Sequence, residues 1–149
     1  MKKNIGIILC VGIAALAIIS IALAHFGVGS ADRESERLKI GVVAYRGDDT
    51  FISNMMESLK VVVTNFENNT GEQLYLSISD AQNSQSIQNS QIERFISLGY
   101  NVLCVNLVDR TNATYIIDKA MEADVPVVFF NREPVQADMQ KWHKLYYVG

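Results

Sequence analysis

The sequence predicts an α/β fold, a Rossmann-like parallel sheet with helices on both faces. Three observations carry that expectation. Short Val/Ile-rich runs show no clean alternation, as strands buried on both faces do; stretches of helical apolar spacing separate them; and Gly, Pro or Asx residues mark nearly every junction.

The first run, Ile40–Tyr45, is broken by Arg46-Gly47-Asp48-Asp49, and from Thr50 the apolar residues Met55, Met56, Leu59, Val62, Val63 and Phe66 fall on one helical stripe. Glu67-Asn68-Asn69-Thr70-Gly71 ends that helix. Leu74–Ile78 reads as the second strand and closes on Ser79-Asp80; Asn83 or Ser84 can cap a helix running to Leu98, with Ile87, Ile92, Phe95 and Ile96 on its inner side. Gly99 terminates it. Val102–Val105 is the third strand, followed by a helix from about Thr111 to Ala123 with Ile116, Ile117, Ala120 and Met121 facing inward. Val127–Phe130 is the fourth strand, Val135–His143 is irregular or briefly helical, and Leu145–Val148 is the fifth. Alternating strands and helices at this interval imply right-handed βαβ units, with the order 2-1-3-4-5 and a switch point between strands 1 and 3.

The amino terminus has a different character. Lys2 and Lys3 precede the uncharged apolar stretch Ile5–Leu23, and Ala22-Leu23-Ala24 has signal-peptidase spacing. Residues 1–24 are therefore an export signal or, at roughly 28 Å as a helix, an uncleaved membrane anchor. Residues 25–37, which include the mixed-charge Ser30–Arg37, read as a polar tether, and 38–149 as the globular part, placed outside the cytoplasm. The globular part is thus expected to be exported or held on the outer face of the cytoplasmic membrane.

Composition excludes several classes. A net charge of −3, a pI near 5.3 and no Lys/Arg cluster after residue 40 argue against a nucleic-acid surface. Cys10 lies in the signal and Cys104 in an apolar run, so no disulfide is expected in the exported part. His25 and His143 have no metal-ligand spacing, the adjoining Asp48 and Asp49 do not suit two carboxylates flanking a scissile bond, and no G-x-S-x-G is present; no enzyme and no metal site are expected in this chain. Trp142, Tyr146 and Tyr147 read as packing residues, and the sequons at Asn68 and Asn112 as chance.

Ligands of open α/β sheets sit outside the carboxyl ends of the strands. The first such end offers carboxylates where a phosphate cradle would want Gly-rich backbone and a free positive helix terminus. Asp49 can accept from hydroxyl donors, and Phe51 can lie against an apolar sugar face. The same residues also fit a plain reading, in which Asp48 or Asp49 caps the helix and Phe51 packs in the core. Asp80, Asn106 and Asp109, at other strand ends, read as turn and cap residues.

A resemblance sharpens these expectations. The runs DAQNSQSIQNSQIE (Asp80–Glu93), VNLVD (Val105–Asp109), VPVVFFNREP (Val125–Pro134) and YYVG (Tyr146–Gly149) resemble the galactose/glucose-binding members of the type I periplasmic sugar-binding protein family, which serve bacterial ABC importers. The similarity covers about Leu38 to Gly149 in the same order, and relatives of the ribose type share the fold but not FFN-x-EP or NLVD. It implies a first lobe of two, with the sugar clamped between them and the second lobe lying beyond Gly149. By motif match, Asp49 corresponds to a carboxylate that accepts from a sugar hydroxyl, Phe51 to a ring packed on the pyranose, and Asn131 to an amide bonding sugar hydroxyls. Arg132 stands where the galactose type has Lys, so a cation is kept without an assigned role.

The resemblance further implies a monosaccharide ligand, galactose or glucose, an importer permease and a chemoreceptor as partners, no cofactor in this chain, and a calcium loop in the second lobe. A different class also fits: a membrane-anchored extracellular sugar sensor, suggested by the long apolar amino terminus. A sugar-responsive repressor shares the lobe but would carry a helix-turn-helix where this chain has its signal.

Overall fold

The computed structural model describes residues 37–149. The expected signal or anchor and almost all of the tether lie outside the described residues. Among the described residues no helix is long and apolar enough to cross a membrane.

The chain runs β1 (Leu38–Ala44), α1 (Thr50–Thr70), β2 (Leu74–Asp80), α2 (Gln85–Ser97), β3 (Val102–Val105), α3 (Thr114–Glu122), β4 (Val127–Phe130), α4 (Gln136–Met139) and β5 (Leu145–Val148). The five strands form one sheet in the order β2-β1-β3-β4-β5, and every pairing is parallel. The expected order is therefore the observed one.

Two apolar layers flank the sheet. Ile40, Val42 and Ala44 face α1 and meet Ile52, Met55, Met56, Leu59 and Val63. Val43, Leu103, Val105, Val127 and Phe129 point the other way, into a layer shared with Ile92 and Phe95 of α2 and Ile116, Ile117 and Ala120 of α3. Burial on both faces is what makes these strands continuous apolar runs. Cys104 is buried and free, and burial pushes its thiol pKa up.

Local chemistry sets the element ends. Gly71 ends α1 with φ 73°, its N–H donating to the Glu67 carbonyl at 2.9 Å, a left-handed conformation that a side chain would strain. Ser84 caps α2, its hydroxyl accepting from Ile87 N.

Some expected boundaries and faces move. Strand β2 runs two residues further than expected, to Asp80. Helix α3 begins at Thr114 rather than Thr111, because the Asp109 carboxylate takes the N–H and hydroxyl of Thr111 into a turn. Two residues placed inside are outside: Ile87 is 36% exposed and Met121 42%. At α2 the interior place beside Ile87 belongs to the polar Gln88, fully buried with partners on the β3 loop. Trp142 packs partly buried on the α2–α3 layer and Tyr146 on the α1 layer, whereas Tyr147 keeps 37% of its surface exposed. The segment after β4 is briefly helical.

Register places the loops of interest together. Ala44 pairs with Asp80, Val43 with Val105, Val105 with Phe129 and Phe130 with Val148, so the strands end at nearly one level. The loops opening at Tyr45, Asn106 and Asn131 emerge side by side on the carboxyl edge.

Candidate ligand-binding site

Asp49 is the N-cap of α1. Its backbone is extended, and its Oδ1 accepts from Phe51 N at 2.9 Å and Ile52 N at 3.1 Å. Its Oδ2 accepts from the Tyr45 hydroxyl at 2.5 Å. That phenolic donor and the Ile52 and Phe51 amides hold the Asp49 carboxyl below the usual carboxylate range, so at neutral pH it is an ionised acceptor. A carboxylate has about four acceptor positions, and the three bonds leave room on Oδ2 for another hydroxyl.

Both readings of the first turn hold in part. Asp49 caps the helix, whereas Phe51 is not a core residue: it stands on the first turn of α1 with 47% of its surface exposed. Asp48 turns aside and forms an exposed two-point pair with Arg46, Nε to Oδ1 at 2.5 Å and Nη2 to Oδ2 at 2.8 Å.

At the end of β4, Asn131 is exposed and has φ 60°. Its N–H donates to the Val148 carbonyl at 3.0 Å, which ties the loop to β5. The side chain of Arg132 runs back across the sheet edge. Its guanidinium lies 3.8 Å from the centre of the Tyr45 ring, and Nη1 donates to the carbonyls of Leu107 at 3.1 Å and Val108 at 2.9 Å. Strands β1 and β4 are two strand spacings apart, about 10 Å. One tyrosine thus bridges that gap, with the Asp49 carboxylate on its hydroxyl and the Arg132 cation on its face.

A buried latch lies beneath. Asn106 is fully buried; its Oδ1 accepts from Tyr45 N at 3.3 Å and its Nδ2 donates to the Phe130 carbonyl at 3.0 Å. Gln88 donates to the Asn106 carbonyl at 2.9 Å and accepts from Val108 N at 3.1 Å. Asp80 and Asp109 stay in local turns, accepting from Gln82 N and Thr111 N. A depression of about 280 Å³ opens beside Asp80, lined also by Arg46, Asp48, Gln82 and Asn83. Among the described residues no group of three or more His, Cys, Asp or Glu could hold a metal ion.

Of the residues singled out from sequence, Asp49 and Arg132 are brought together through Tyr45, and Phe51, on the first turn of α1, and Asn131, on the loop after β4, stand exposed at the same edge. Sequence reasoning missed Tyr45 and Gln88. Tyr45 carried one usable signal, its position four residues before Asp49 at a strand end.

The model of the periplasmic binding protein domain matches residues 40–149. The chain belongs to the periplasmic binding protein domain family. Among periplasmic binding proteins, the D-galactose/methyl-galactoside binding periplasmic protein MglB of Haemophilus influenzae is 37% identical over 136 residues, covering 91% of this chain and 39% of MglB. An ABC transporter solute-binding protein of Bacillus halodurans, solved with bound myo-inositol, superposes with a TM-score of 0.62 at 30% identity, over 72% of this chain and 35% of that one. A Caulobacter myo-inositol binding protein shares the fold, with a TM-score of 0.57 at 21% identity over 72% of this chain and 34% of its own. The chain spans between about a third and two fifths of the length of these relatives.

Proposed function

We propose that this chain is the first lobe of an exported solute-binding protein that captures a monosaccharide, galactose or glucose, in the periplasm and delivers it to an ABC importer. The observation that carries the reading is the ionised Asp49, fixed at three points with acceptor capacity to spare, next to the exposed ring of Phe51. A neutral sugar offers no charge to grip. Its affinity has to come from hydroxyl hydrogen bonds and from C–H faces laid on aromatic rings. A carboxylate gives a stronger, charge-assisted bond than an amide and fixes hydroxyl orientation. Asn131 supplies an amide at the opposite end of the edge, and the 37% identity to a galactose-binding relative favours a hexose. Productive sites bury about 70–90% of a small ligand, so a second lobe closing over this edge completes the pocket.

The test is calorimetric titration of the complete two-lobe protein with D-galactose and D-glucose. Saturable binding of at least one is expected, and Asp49→Ala should weaken it about tenfold to a hundredfold by leaving a sugar hydroxyl unpaired. No heat with either sugar overturns the proposal. Phe51→Ala separates binding from folding. Because the ring is 47% exposed, its loss should leave the unfolding midpoint nearly unchanged while sugar affinity falls by about tenfold. Equal affinity in that variant removes the ring from the site.

A further inference from the structure

We infer that Tyr45 and Arg132 act as one positioning unit: the Arg132 guanidinium, seated on the Leu107 and Val108 carbonyls, holds the Tyr45 ring from its face so that the phenol aims the Asp49 carboxylate at the ligand. The sugar as ligand rests on the function proposed above; the aim of the carboxylate does not.

The geometry explains why each group is of its type. Asp49 Oδ1 is held by two backbone amides on the α1 side, and among the described residues the Tyr45 hydroxyl alone donates to Oδ2. Without that bond the carboxylate is steered from one side alone. The hydroxyl is a dependable donor, because the neighbouring Asp49 raises the pKa of Tyr45. Arg132 acts on the ring as a flat cation on a π face, an arrangement that a lysine ammonium does not reproduce. Its Nη1 is committed to two carbonyls, which seats the guanidinium on the sheet edge, and from there Arg132 serves the site by holding its parts. The same anchor pins the residue next to Asn131, whose backbone sits at φ 60°. Both polar groups offered to a sugar are therefore set by one cation lying across the edge.

The decisive variant is Tyr45→Phe in the complete two-lobe protein, followed by galactose calorimetry, by the pH titration of the Asp49 side-chain carboxyl carbon in nuclear magnetic resonance, and by thermal unfolding. Arg46 and Asp48 on the same turn and Arg132 opposite stay in place, so a change in the Asp49 titration reports the phenol alone. Galactose affinity should fall about tenfold and the Asp49 pKa should rise, with little change in the unfolding midpoint. In an Asp49→Ala background, Tyr45→Phe should cost no further affinity, since the tyrosine acts only through the carboxylate. Arg132→Lys keeps the charge and loses the planar face; changes in the same directions but smaller are expected, and this variant carries the test if Tyr45→Phe does not fold. Unchanged affinity and an unchanged Asp49 titration overturn the inference, as do independent losses in the double variant. If the unsubstituted protein takes up neither galactose nor glucose, the proposed function falls, and the Asp49 titration decides the positioning unit by itself: a raised pKa in Tyr45→Phe supports it, an unmoved one overturns it.

Discussion

Gly41→Val is expected to destabilise the domain by about 3 kcal/mol, at the upper end of what overpacking a core costs. Gly41 lies mid-way along β1 on the face that carries α2. A Cβ built there meets Phe95 Cδ2 at 2.7 Å and Cγ at 2.9 Å, closer than real Cβ atoms approach a neighbour. The ring has little room to retreat, because it is 5% exposed and its centre is 4.5 Å from that of Tyr100. On propensity alone the substitution would help, since glycine inside a strand costs roughly 0.5–1 kcal/mol. The two effects have opposite signs, and the clash is the larger. Urea titration of Gly41→Ala, Gly41→Val and Gly41→Ala with Phe95→Leu measures it: falling stability through the first two and partial recovery in the third are expected. A neutral or stabilising Gly41→Ala would show that the helix gives way easily.

How much of this was legible in the sequence follows from where each residue's partners lie. The strands and their order were legible because burial on both faces writes itself as an apolar run, and because helices between strands leave few topologies open. A cap at Asp48 or Asp49 was legible because a cap's partners are two and three residues away, and the structure gives the role to Asp49. What failed depended on distant partners. Periodicity put Ile87 inside α2, but the neighbouring Gln88 takes the interior because its partners come from residues 106 and 108. Tyr45 read as the last apolar residue of a strand, although its ring lies under a cation 87 positions along the chain. For Phe51 the spacing fitted either surface or core, and its exposure was settled only by how α1 sits on the sheet. The local geometry of the candidate site could be read, and the contacts that cross the sheet could not.

Asn106→Ala should lower stability by about 2–3 kcal/mol and disturb the site from beneath. Asparagine at a strand end fits an ordinary turn residue, and here, just past β3, it is a fully buried tie that joins Tyr45 N, just past β1, to the Phe130 carbonyl at the end of β4. Alanine leaves both backbone groups without that partner, and an unsatisfied buried group costs about 1–3 kcal/mol. Two observations keep the expected loss below the sum. The bond to Tyr45 N is long, at 3.3 Å, and the Phe130 carbonyl also accepts from Arg132 N at 2.6 Å. A domain of this size then loses roughly 10 °C in its unfolding midpoint. The same change releases the N–H of Tyr45, leaving its backbone held by the Asn83 N–H on its carbonyl, and the Tyr45 hydroxyl sets Asp49, so sugar affinity should fall in Asn106→Ala even at temperatures where the protein is fully folded. Affinity equal to the unsubstituted protein, alongside the expected drop in midpoint, would confine Asn106 to stability and show that the first loop holds its own geometry.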